Sequence, residues 1–203
     1  MRSRPTLLLL VLALTLAALA TACSSGGGDG SATGTTTPGA STTVAGQAGC
    51  VPFHGVTTQL TSTGKTAPGF LTDATAEAVD CLDKVTFVFD SKGDVPPGYD
   101  VHYQDVTKQP LQDCGQDVTM PGEAFLIVVL KPAASSNPFA PEGEQDTYKG
   151  NLRLSYGATH HLQIVEKTCD GDGTVNWVIG LDSVRPFVVD RAVDPIRVSV
   201  VIG

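Results

Sequence analysis

Few side chains in this 203-residue chain stand in a spacing that could do chemistry. His160 and His161 are adjacent, the simplest form of a metal pair. Successive strand residues point to opposite faces, so the two rings are expected to diverge. His54 and His102 add no ligand spacing. DGDGTVN, residues 170–176, opens like a calcium loop, but the twelfth position from Asp170 holds Leu181 where a Glu is needed. A plain Asp-Gly turn is the better reading. G-x-S-x-G, S-x-x-K with its partners, the P-loop and G-x-G-x-x-G are all absent. Glu142 and Glu144 lie close together in a polar stretch that reads as a solvated face. These residues predict a protein that is not an enzyme and uses no metal or cofactor. Trp177, the sole Trp, stands beside Val175 and Ile179. It is expected in the core, or else as a sugar-stacking platform on an exposed sheet face.

Cysteine offers a different chemistry. The five are Cys23, Cys50, Cys81, Cys114 and Cys169. MRSRP opens the chain, LLLLVLALTLAALATA follows over residues 7–22, and Ala20-Thr21-Ala22 precedes Cys23. A basic start, a short apolar run and a small-residue cleavage site predict a signal peptide over residues 1–22. As a helix the run would span roughly 24 Å, short of the roughly 30 Å hydrocarbon core. Ala-Thr-Ala-Cys resembles the bacterial lipobox, with Leu displaced one place to Leu19. Acylation of Cys23 would leave four cysteines, an even number suited to two disulfides in an oxidising compartment. Two acyl chains give stable anchoring where one is marginal. The expected location is the extracytoplasmic face of the cell membrane, held there by lipid.

Residues 24–48 are nearly all Ser, Thr, Gly and Ala, with one charge and no aromatic. They cannot bury enough surface to offset ordering entropy, so residues 23–49 read as a lipidated Cys and a flexible linker. Residues 50–203 are long enough for one domain with a real core. Without Arg2 and Arg4 the balance is 11 basic against 21 acidic residues, a net of −10. That disfavours nucleic acid as a partner, and docking on anionic lipid by charge alone.

The elements that must position any site are strands. KVTFVFD (84–90) puts Val85, Phe87 and Phe89 on one face, and YDVHYQ (99–104) does the same with Tyr99, Val101 and Tyr103. The turn-rich SKGDVPPG between them predicts a hairpin. AFLIVVLK (124–131) is apolar on both faces and reads as a central strand. HLQIVEK, CDGDG and TVNWVIGL predict a second hairpin, and RPFVVD with PIRVSVVI closes the chain. LTDATAEAVDCL (71–82) allows a helix by propensity or a strand by its threonines. The sum is an all-β fold, an antiparallel β-sandwich of roughly eight strands. Loop 132–150 exceeds ordinary connection length, which is usual for functional or mobile loops. Four cysteines allow three pairings. The first hairpin would set the end of strand 99–104 level with residue 82, bringing Cys114 within reach of Cys81 and leaving Cys50 for Cys169.

LTDATAEAVDCLDKVTFVFD, PGYDVHY, GEAFLIVVLKPA, DTYKG, VNWVIGLDSVRPFVV and DPIRVSVVI succeed one another in an order that resembles the AMIN-like domain of actinobacterial lipoproteins. The resemblance covers about residues 69–203. Related AMIN domains are β-sandwiches that target wall amidases and pilus secretins to peptidoglycan. The resemblance therefore implies a non-catalytic envelope lipoprotein that binds peptidoglycan or another wall component. The alternative is an accessory lipoprotein docking an envelope protein through a sheet face or loop 132–150. Arg185 and Arg197 fall at the family's "r-P-F" and "D-P-x-R" positions. They would serve as structural ion pairs, Arg197 with Asp194 for instance, or as a fork on a muropeptide carboxylate.

Overall fold

The computed structural model describes residues 50–91, 93–104 and 111–203. The expected signal peptide, Cys23 and linker lie outside the described residues. Fourteen strands follow one another there, and no helix does. They are β1 (Leu60–Thr61), β2 (Gly69–Val79), β3 (Leu82–Ser91), β4 (Gly98–Tyr103), β5 (Leu111–Asp113), β6 (Gln116–Val118) and β7 (Ala124–Lys131). Then come β8 (Ala133–Ala134), β9 (Ser136–Asn137), β10 (Gln145–Asp146), β11 (Leu162–Gly171), β12 (Thr174–Leu181), β13 (Phe187–Val193) and β14 (Ile196–Ile202).

Two five-stranded sheets carry the fold, in the orders β13-β14-β3-β2-β8 and β1-β4-β7-β12-β11. All their pairings are antiparallel except β2 with β8. The alternation read from the sequence decides which side chains face inward. Val85, Phe87 and Phe89 of one sheet and Val101, Leu126, Trp177 and Ile179 of the other are all buried in one core. Phe87 and Trp177 meet across the sheets with ring centroids 5.3 Å apart. The all-β sandwich, the central place of β7 and the β11–β12 hairpin are as the sequence predicts. That hairpin turns on Asp172 and Gly173, with φ of 50° and 73°, the left-handed pair a two-residue turn requires.

Two expectations need correction. β3 and β4 do not form a hairpin: β3 pairs with β2 and β14, whereas β4 lies in the other sheet between β1 and β7. Residues 93–97 therefore lie on a crossing from one sheet to the other. The disulfides are Cys50–Cys81 and Cys114–Cys169, each with Cα atoms 5.8 Å apart, in place of Cys81–Cys114 and Cys50–Cys169. The expected pairing rested on that hairpin and fails with it. Cys81 sits in the turn joining β2 to β3, where Cys50 reaches it. Cys114 sits in the β5–β6 turn and is tied to β11.

Candidate functional site

An open cleft of about 520 Å³ lies between the segment after β7 and the turn joining β11 to β12. One backbone bond and one to a side chain hold its two walls together: Ala133 N–H donates to Gly173 O at 2.9 Å, and Ser135 N–H donates to the Asp170 carboxylate at 3.3 Å. The N–H groups of Thr147 and Tyr148 both donate to Ser135 O, so the long loop closes on itself. Its lining is polar, with Ser136, Glu144, Asp146 and Asp172 at the mouth. At the floor, Lys167 Nζ donates to Ser135 Oγ and to Asp170 Oδ2, each at 2.9 Å, and lies 5.5 Å from the centre of the Tyr148 ring. Tyr148 stands edge-on to Trp177 at 5.8 Å and donates its hydroxyl to Asn151 O at 2.8 Å. Gly150 lies flat against that ring, where a Cβ would meet Tyr148 Cζ at 2.6 Å.

Asp170 and Tyr148, both at the floor, have shifted pKa values. Burial alone would raise the Asp170 carboxyl, but hydrogen bonds from Ser135 and Lys167, with the lysine's charge, outweigh it and hold it below its ordinary value. Burial, with help from the Asp73 charge, pushes the Tyr148 phenol up. Both shifts run away from neutral pH. The cleft presents fixed acceptors: carboxylates and hydroxyls able to take hydrogen bonds from sugar hydroxyls, amide N–H groups or an ammonium.

The residues singled out from sequence do not gather there. Trp177 is fully buried (0% exposed), so it offers no ring face to a ligand and its part is core packing beneath Tyr148. Arg185 grips Asp182 through Nε at 3.1 Å and Nη2 at 2.9 Å, and its backbone O and N–H meet the Tyr103 hydroxyl at 2.7 and 2.9 Å. Arg197 lies next to the β13–β14 turn, where Nη1 reaches the Asp194 backbone O at 3.4 Å. Arg185 precedes the other end of that hairpin, past at least about 16 Å of strand, so the two guanidinium groups form no fork. His160 Nε2 lies 2.8 Å from Asp80 O and His161 Nδ1 3.2 Å from Asp182 Oδ2. Each imidazole thus has a local partner. Among the described residues no group of three or more His, Cys, Asp or Glu is placed to hold a metal ion.

Asp83 was not singled out, and the structure gives it a central post. Fully buried on β3, its carboxylate accepts the N–H groups of His160, His161 and Leu162 at 2.9, 2.6 and 3.0 Å. It thereby ties one sheet to the entry of β11 in the other. Lys167 carried no signal in the sequence, and Asp170 read there only as the start of an Asp-Gly turn. Their i,i+3 spacing would put them on opposite faces of a regular strand, and the register shift between Lys167 and Cys169 is what brings them together.

The two-sheet antiparallel sandwich thus carries a polar cleft at one end. A family model for the AMIN-like domain matches residues 69–202. The chain belongs to the AMIN-like domain family. Domains of this family are of the binding type rather than catalytic, and are typically associated with the cell envelope outside the cytoplasm. Comparison with curated proteins and with solved structures returns no match. Two of the stretches that carry the resemblance acquire physical reasons here. In D-T-Y-K-G, Gly150 makes room for the Tyr148 ring, and in W-V-I-G-L a Cβ on Gly180 would strike the Pro121 carbonyl.

Proposed function

We propose that this protein is a lipid-anchored, non-catalytic envelope component that holds peptidoglycan in the cleft between loop 132–150 and the β11–β12 turn. The observation that carries the ligand assignment is the lining: Glu144, Asp146, Ser136 and Asp170 around an immobilised lysine. Peptidoglycan offers matching donors, namely sugar hydroxyls, peptide N–H groups and stem-peptide amines. Anchoring is through Cys23, supported by the basic start, the short apolar run and the small residues before it. Of the described residues, no helix is long and apolar enough to cross a membrane.

Co-sedimentation of the full chain with purified sacculi tests the ligand. The parent should pellet with sacculi, and Asp146→Asn combined with Glu144→Gln should lose most of that binding while keeping its melting temperature. A parent chain that stays in the supernatant would sink the reading.

A further inference from the structure

The β9–β10 hairpin is a thin wall with two faces. Ser136, Glu144 and Asp146 line the cleft on one side, while Asn137 and Gln145 line a second cavity on the other. This is the period-two alternation of paired strands. The second cavity is an open groove of about 670 Å³ built from Pro68, Phe70, Phe139, Ala140 and Pro141, and it shares no lining residue with the cleft.

Phe139 stands at its edge, 84% exposed. Local bonds define the conformation that exposes it. Asn137 Oδ1 accepts the Phe139 N–H at 2.9 Å, Gly143 N–H donates to Ala140 O at 3.0 Å, and Ser136 Oγ donates to Glu144 at 2.6 Å. A phenyl ring fixed in water beside an apolar groove gains by being covered.

Charge selects the cover. Glu142 borders the groove and accepts from Gln145 Nε2 at 3.3 Å. Glu144 and Asp146 follow on the reverse face of the same hairpin, and Lys149 is the one basic residue in loop 132–150. A second copy of the chain would bring Glu142 against its like, with the same net negative charge behind it. An anionic bilayer would be repelled in the same way. A basic polypeptide satisfies both features.

We propose that this groove docks a basic polypeptide segment of an envelope partner protein. An apolar side chain of the partner packs between Phe139 and Phe70, and a flanking Lys or Arg faces Glu142.

Random short peptides displayed on phage and panned against the full chain should return Leu, Phe or Pro flanked by Lys or Arg. Labelled copies of the enriched peptides, titrated by fluorescence anisotropy, should bind Phe139→Ser about ten-fold or more weakly. They should also bind Glu142→Lys more weakly, and bind the parent less tightly as salt rises. Phe139 is exposed, so its replacement leaves the core untouched, and sacculus binding by Phe139→Ser should match the parent. Failure to enrich any sequence, or peptides that bind Phe139→Ser as well as the parent, would overturn the proposal. Two further results would do the same. Binding to phosphatidylglycerol vesicles that is lost in Phe139→Ser would make the groove a membrane contact. A concentration-dependent dimer abolished by Phe139→Ser would make it a contact between copies.

Discussion

Asp182 meets a guanidinium and an imidazole on one carboxylate. The Arg185 hydrogen bonds, opposed by partial burial and reinforced by His161, lower its pKa from 3.8 to about 2. A carboxyl depressed in the fold stabilises it above the unfolded pKa and loses that contribution as pH falls through the folded one. The urea midpoint of the parent should therefore drop between about pH 5 and about pH 2. Asp182→Asn should start lower at the upper pH and show a smaller drop; an identical acid limb in parent and variant would remove Asp182 from this role. Two buried residues bear larger loads. Trp177→Ala empties the junction of Phe87 and Tyr148. It should cost about 3–5 kcal/mol in denaturant unfolding. Asp83→Ala strips three N–H groups of their acceptor where water has little access. It should cost at least about 3 kcal/mol, with amide exchange accelerated first at residues 160–162.

The β5–β6 hairpin lies over the outer face of the second sheet. Val118, with Met120 just beyond the hairpin, packs on Phe125, Ile127 and Val178. Asp113 accepts from Asn176 Nδ2 at 2.7 Å and from the Thr168 hydroxyl. The Cys114–Cys169 bond closes this flap across a sequence separation of 55 residues. Replacing both cysteines with serine should cost about 2–4 kcal/mol, and limited proteolysis should cut first within 111–120 while the sandwich persists. Non-reducing peptide maps should join Cys50 to Cys81 and Cys114 to Cys169. The same elements mark what a sequence can disclose. Val85, Phe87 and Phe89 announce their strand and its inner face, because alternation is a property of one strand alone. Which strand lies beside β3 is decided by both sheets together, and SKGDVPPG has the same turn residues whether it folds back or crosses over. The disulfide partners were lost with that ambiguity. Asp83 was illegible for a related reason: its partners are backbone groups 77 to 79 residues away, which leave no side-chain pattern. Loop 132–150 was recognisable by length, but its division into a wall with a polar and an apolar face needs the β9–β10 pairing.

On the proposed reading, a chain with net charge −10 after removal of Arg2 and Arg4 would face an envelope rich in anionic polymers. Long-range electrostatics would then oppose approach to the wall, and the proposed binding would draw its attraction from contacts made inside the cleft. The repulsion acts over a Debye length of about 30 Å at about 10 mM salt and about 8 Å at about 150 mM. Screening therefore removes the obstacle before it weakens charge-assisted hydrogen bonds in a partly enclosed cleft. Sacculus binding by the parent should hold or rise across that interval, the reverse of the fall expected for basic peptides at the Phe139 groove. Lys167→Met separates the cleft from the rest of the molecule. It removes the ammonium that Ser135 and Asp170 share and leaves the net charge one unit more negative. This variant should bind sacculi more weakly at both salt concentrations and keep the parent's peptide affinity at the groove. Binding that falls steeply with salt, alike in parent and variant, would mean that a diffuse charged surface holds the wall and the cleft does not.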